Sequence, residues 1–306
     1  MTSVGRFGTE PCFGYIPGEG MSRVHLDYNT FGELSTSVAK RLNDIGVEKG
    51  DRVALILDNS VQWAALSYGA NYIAVDGTYD DANRIAAQIG DSKGIGVVNI
   101  NMRSHYVEGS KTFSYEVAEQ LDWTVPDQLI VPVGSGAMLN AICKGFEELQ
   151  TVSLLDDVSN MHMIAAQPHG CAPIVDAFKK NTKEVIPVEN PDTVAKSLAI
   201  GDPGDGRYVL KRLEQYNGFA EECDNQEILD AILLLAQTEG IFTEPAGGVS
   251  ISILQKMVEQ GKIDKNDKVV CYVTGNGLKA TESIMQVLTK PTVYKPNINE
   301  ISAVVT

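Results

Sequence analysis

The chain has 306 residues, 43% of them hydrophobic, and a formal net charge of −15. Its length suits about two domains and its apolar share a sizeable core. The acidic balance, with no basic face, excludes a nucleic-acid partner. The longest strongly apolar run, ILLLA at 232–236, is too short to cross a bilayer.

The first 23 residues, rich in glycine, read as a loosely structured lead-in with no apolar core of a signal peptide, which points to a cytoplasmic protein. From Thr30 the text turns periodic. TFGELSTSVAKRLNDIG places Leu34, Val38, Leu42 and Ile45 on one helical face, with Gly46 as a stop. A β-branched run, Val53 to Leu57, then a helix, VQWAALSYGA, and a second apolar run at 72–77 read as a parallel βαβ unit.

The alternation continues with a helix in TYDDANRIAAQIGD, a strand in GIGVVNI and a helix in SKTFSYEVAEQL. DQLIVPV is the next strand and GSGAMLNAICKGFEEL its glycine turn and helix. HMIAAQP (162–168) reads as a strand and APIVDAFKKN as a helix. In DNQEILDAILLLAQTEG, Asp224 with Glu227 forms a capping box and Gly240 a stop. GGVSISILQKMVEQG is the last long helix and DKVVCYVTG the last strand. Strands alternating with helices predict an α/β protein with a mostly parallel sheet.

In such a sheet a ligand sits beyond the carboxyl ends of the strands, where glycine turns lead into helices. Three turns qualify: GSGA at 134–137, GDPGDG at 201–206 and TGNG at 274–277. Each could equally be a tight turn that needs glycine. Together they suggest a small molecule bearing a phosphate. The five cysteines, Cys12, Cys143, Cys171, Cys223 and Cys271, are odd in number and hold no CxxC pair. They read as small buried hydrophobes rather than disulfides or a zinc site. His25, His105, His162 and His169 show no metal spacing, and His162 reads as a satisfied core histidine.

From about residue 68 to 306 the chain resembles threonine synthase, of the tryptophan synthase β-like family that uses pyridoxal phosphate (PLP). The stretches that carry the resemblance are YGANYIAVDGTYDDANRIAAQIG, YVEGSKTFSYEVAEQL, IVPVGSGAMLNAICKGF, GCAPIVDAF, ENPDTVAKSLAIGDP, EGIFTEPAGGVS and VVCYVTGNGLK. It implies PLP fold type II, with parallel sheets, helices on both faces and a truncated N-terminal half. It also implies the family reaction, O-phosphohomoserine and water to threonine and phosphate, a lyase activity in amino-acid biosynthesis. The partner implied is a phosphorylated amino acid, and a homodimer is left open.

The resemblance assigns cofactor binding to Gly134, Ser135, Gly136, Ala137 and Met138, which cradle the PLP phosphate, and to Thr274 at the pyridine nitrogen; a strand-end cap is the plain alternative for Thr274. Asn101 and Arg103 fall near the substrate phosphate. Tyr106 stands where the pattern has an arginine two residues before the Glu-Gly pair, and Arg103 is the nearest replacement. Lys111 reads as structural rather than catalytic.

The family carries PLP as an imine on a lysine in a motif like SFKDR, upstream of the YGA where the resemblance starts. No such motif occurs here, and no catalytic residue is assigned. Lys40, on a polar helical face, and Lys49, in a turn, lack its context. Residues 28–70 instead resemble the opening of an AMP-forming acyl-CoA synthetase, through TFGEL, GVEKGDRVALIL and an apolar helix ending in GA. The expected organisation is a ligase-like segment at 1–70, a remnant of the small PLP subdomain at 71–125 and the large PLP-binding domain at 126–306. The expected function is a chimeric threonine synthase-like protein that holds PLP non-covalently and is impaired or inactive. The alternatives are a non-catalytic interaction protein and an acyl-activating fragment.

Overall fold

A computed structural model describes residues 11–15, 24–27, 33, 36, 40, 76–94, 104–285 and 287–288. The chain divides into two compact units, Met1–Val75 and Asp76–Thr306. In the first, β1 (Pro11–Tyr15) pairs antiparallel with β2 (Val24–Asp27). A strand therefore stands where the glycine-rich opening reads as lead-in; PCFGY is too short to show a period of two. Glu33, Thr36 and Lys40 are helical and exposed, the polar complement of the apolar face predicted there. The βαβ strands at 53–57 and 72–75 and the strand at 95–100 lie outside the described residues.

The second unit opens with α1 (Tyr79–Lys93). Thr78 and Asp81 cap it reciprocally, and Gly94 ends it at φ 65°. The next two helices are α2 (Ser104–Gly109) and α3 (Thr112–Gln120). The sheet is built from β3 (Gln128–Pro132), β4 (His162–Pro168), β5 (Phe219–Cys223) and β6 (Val269–Cys271). All pairings are parallel, in the order β5-β4-β3-β6, and Pro132 stands level with Ala166.

The two central strands are apolar on both faces, as a parallel sheet covered by helices requires. Leu129, Val131, Met163 and Ala165 face one core, shared with Leu139, Ile142 and Phe146 of α4 (Ala137–Thr151) and Val209 and Leu213 of α6 (Gly206–Gln215). Helix α5 (Pro173–Lys179) adds Ile174 and Val175 to the same core. Ile130, Ile164 and Ala166 face the other, shared with Ile228 and Ile232 of α7 (Asn225–Glu239) and Val249, Ile253 and Met257 of α8 (Pro245–Glu259). A short α9 (Thr281–Ile284) follows. The capping box of α7 is as predicted: Asp224 Oδ1 accepts from the Glu227 amide at 2.9 Å and the Asp224 amide donates to Glu227 Oε2 at 2.7 Å.

Sequence periodicity misses α6 and β5. FAEEC offers no alternation because β5 is an edge strand carrying Glu221 and Glu222, which reach Lys179 at 2.9 and 3.1 Å. It also overextends the last strand, which pairs only over Val269–Cys271, and starts α8 two residues late by passing over the proline at its first turn.

Gln167, fully buried at the end of β4, ties three elements. Its Nε2 donates to the Val133 carbonyl at 3.2 Å, and its Oε1 accepts from the amides of Ile174 and Val175 at 2.9 and 3.1 Å. It thus satisfies two orphan donors at the start of α5 and fixes the residue before the GSGA turn. Gln167→Leu leaves these three groups unpaired in a dry site and should lower the unfolding free energy by ~2–4 kcal/mol, read as a fall in urea midpoint with unchanged m.

Candidate functional site

The carboxyl ends of β3 and β6 open onto one cleft of about 330 Å³. Its wall includes Gly134, Ser135, Gly136 and Met138 from the β3–α4 turn, and Thr274 beyond β6. Ala137, buried, is the first residue of α4. Two of the three glycine turns read from the sequence therefore meet. The third, 201–206, packs against Gly136, with the Asp205 amide donating to the Ser135 carbonyl at 3.0 Å.

The β3–α4 turn satisfies only part of its own hydrogen bonding: Ser135 Oγ accepts from the Ala137 amide at 3.4 Å. Gly136 has φ 94°, a left-handed conformation, and a Cβ there would lie 2.7 Å from Val209. Among the described residues, nothing accepts from the amides of Ser135, Gly136 or Met138. They converge at the N-terminus of a 15-residue helix, where aligned peptide dipoles add roughly half a positive charge. An anion is the natural acceptor, and no basic side chain is needed.

The cleft wall also holds Thr274, exposed, beside Glu244. The loop bearing Thr274 is pinned: Thr243 Oγ1 and the Glu244 amide both donate to the Gly275 carbonyl at 2.9 Å, and the Gly277 amide donates to the Phe242 carbonyl at 3.0 Å. Glu244 is a carboxylate that sequence reasoning missed. Its signal was its place at the N-cap of α8, within TEPAGG. Phe113 also lines the cleft, edge-on to Tyr272 with centroids 5.8 Å apart.

Lys111 turns away from the cleft. Its ammonium pairs with Glu108 and Glu148, each at 2.6 Å, and those carboxylates hold its pKa above the usual lysine range. Lys144 bonds Glu108 as well, and the two cations pull the Glu108 pKa down to about 2. Lys40 is exposed. Asn101, Arg103 and Lys49 lie outside the described residues. His162 Nδ1 lies 3.0 Å from the Asn217 carbonyl, a satisfied partner on a partly accessible ring. Cys143 and Cys223 are buried, and desolvation pushes both thiols up to about 12. Among the described residues there is no metal-binding cluster, and no helix is long and apolar enough to cross a membrane.

Residues 53–275 match the family model described as pyridoxal-phosphate dependent enzyme. The chain belongs to that family. The match begins inside the segment read as ligase-like. The chain is similar to threonine synthase of Methanocaldococcus jannaschii, 38% identical over 240 residues, which are 78% of this chain and 58% of that protein. It is likewise similar to threonine synthase of Methanosarcina acetivorans, 37% identical over 237 residues, with the same shares. The chain thus spans under two thirds of the length of these relatives. Among solved structures it resembles processed threonine deaminase isoform 2 from Solanum lycopersicum (TM-score 0.59, 19% identity, 74% of this chain and 62% of that one). It also resembles threonine synthase from Escherichia coli (TM-score 0.56, 17% identity, 74% and 52%). The fold is PLP fold type II, and the family's cofactor is PLP.

The residues present fit that cofactor. A dianionic phosphate matches three amides that have no acceptor among the described residues, and the neutral Thr274 hydroxyl lines the same cleft.

Two outcomes follow from this site. Gly136→Ala places a Cβ against Val209 in a left-handed backbone and should cost ~1–3 kcal/mol of stability, measured by urea unfolding, together with loss of anion binding at the turn. The Glu108 carboxylate, with a folded pKa of about 2 against 4.5 for the free group, contributes stability that is present above pH 4.5 and lost as pH falls toward 2. Urea midpoints across that window should fall with acid in the wild type and fall less in Glu108→Gln.

Proposed function

We propose that this chain is a threonine synthase-type PLP protein whose β3–α4 turn holds the cofactor phosphate. The observation that carries this is the convergence, in one cleft, of amides with no acceptor among the described residues at the start of α4 and of the Thr274 hydroxyl. PLP, when bound, supplies an electron sink for bond breaking at the substrate's α-carbon. The chain's own groups position it. Gly134 to Met138 form the phosphate seat, Thr274 donates to or accepts from the ring nitrogen without adding charge, and Phe113 lines the cleft.

The substrate class is a phosphorylated amino acid, with the family reaction converting O-phosphohomoserine and water to threonine and phosphate. We assign the substrate phosphate to Asn101 and Arg103, since a guanidinium can grip a phosphate bidentately. We further propose that PLP is held without an imine and that turnover is impaired. Among the described residues, the cleft wall contains no lysine, and Lys111 is committed to Glu108 and Glu148. Residues 1–70 are then a segment of different character, ligase-like at 28–70, joined to the PLP-binding part.

The test is titration with PLP and with pyridoxal, followed by borohydride reduction and peptide mass mapping. PLP should bind more tightly than pyridoxal, with no lysine acquiring the reduced cofactor and little phosphate released from O-phosphohomoserine. One lysine labelled stoichiometrically, with loss of the label and of turnover on its replacement, overturns the non-covalent reading. Equal affinity for PLP and pyridoxal overturns the phosphate seat.

A further inference from the structure

The wall behind the seat is held by a residue from a distant helix. Asp80, in the first turn of α1, is not part of that helix's capping box, which Thr78 and Asp81 complete between themselves. Its Oδ2 instead accepts two main-chain hydrogen bonds from across the chain: the Gly201 amide at 3.0 Å and the Asp202 amide at 3.2 Å. Gly201 is gripped on its other side as well. Its carbonyl accepts from the Val188 amide at 3.0 Å, and a Cβ at this position would fall 2.0 Å from the Val188 oxygen.

These two amides lie between the points where this segment touches the seat. On one side Ile200, a cleft residue, presses on Gly134: a Cβ there would lie 3.0 Å from Ile200 Cδ1. On the other, the Asp205 amide donates to the Ser135 carbonyl at 3.0 Å, and Asp205 approaches Gly136. One carboxylate oxygen thus anchors the middle of a short span whose two ends set the positions of Gly134, Ser135 and Gly136. Charge-assisted bonds of this kind are about twice as strong as neutral ones, and losing the acceptor strands both donors.

We propose that Asp80 is a positioning residue for the phosphate seat, acting through the Gly201–Asp202 amides on the wall formed by Ile200 and Asp205. The inference rests on the reading of Gly134 to Met138 as that seat.

The test uses 4-deoxypyridoxine 5′-phosphate, which has no aldehyde and so reports the seat independently of any lysine, and its phosphate-free counterpart. Affinities are measured by calorimetry for the wild type, Asp80→Ala, Asp80→Asn and Thr78→Ala. Thermal midpoints are measured alongside. Asp80→Ala should weaken the phosphorylated ligand about tenfold and leave the phosphate-free one unchanged, while Asp80→Asn, which keeps an oxygen acceptor, recovers most of the loss. Thr78→Ala weakens the start of α1 without touching the 201–202 amides, so it should lower the thermal midpoint and keep wild-type affinity. Affinity unchanged in Asp80→Ala, or lost equally in Thr78→Ala, overturns the role of Asp80. In the wild type, amide exchange at 201 and 202 as fast as in an open loop overturns it too, whatever the variants' folding. No preference of the wild type for the phosphorylated ligand overturns instead the seat reading on which the inference stands.

Discussion

An α-helix leaves its first four amides without partners inside itself, and each must find an acceptor or stay hydrated. At the start of α4 the remedy is partial, with the Ala137 amide donating to Ser135 Oγ at 3.4 Å. Gly136, the residue before the helix, has no side chain to cap with and lines the cleft in a left-handed conformation. Reciprocal boxes close α1 and α7, whereas α3, α6 and α8, like α4, take no side-chain cap from the residue before them. What sets the β3–α4 turn apart is its place at the cleft, where the amides of Ser135, Gly136 and Met138 have no acceptor among the described residues, and neighbouring elements of the second unit hold that turn in shape.

Three supports converge on it. Gln167 fixes the Val133 carbonyl from the neighbouring strand. The Asp205 amide fixes the Ser135 carbonyl from the start of α6. Ile200 and Val209 fill the space that side chains on Gly134 and Gly136 would need. The groups that touch the turn directly are uncharged, with the Asp80 carboxylate acting one step behind them, so the local field at the seat comes from oriented peptide dipoles rather than from mobile cations. Lys111 and Lys144 are bound to the carboxylates of Glu108 and Glu148, and Lys144 and Glu148 lie further along α4.

Much of this was legible in the residues. The two-faced apolar runs of β3 and β4, the helical stripes of α4 and α7, and the Asp224–Glu227 box are local patterns, and local patterns survive folding. The turn at 134–137 and Thr274 were visible because strand-glycine-helix order places them at one sheet edge. What could not be read was what depends on partners far along the chain. FAEEC becomes a strand only because β4 offers it an edge. Gln167 looks like any polar residue in HMIAAQP until Val133, Ile174 and Val175 surround it. Glu244 enters the cleft because the loop after β6 folds back onto Thr243, a contact no periodicity encodes. Asp80 reads as an ordinary first-turn acid until the loop at 201 arrives.

The sheet order carries a further consequence. β3 is paired on one side by β4, soon after it in the chain, but on the other by β6, with Asp127 and Lys268 bonded across 141 residues. Chain closure over such a span is slow compared with local pairing. During synthesis the β3–β4 pair and its helices therefore emerge while one rim of β3 stays open, and the rim is sealed only when β6 leaves the ribosome. The half of the cleft bearing the glycine turn is assembled before the half bearing Thr274.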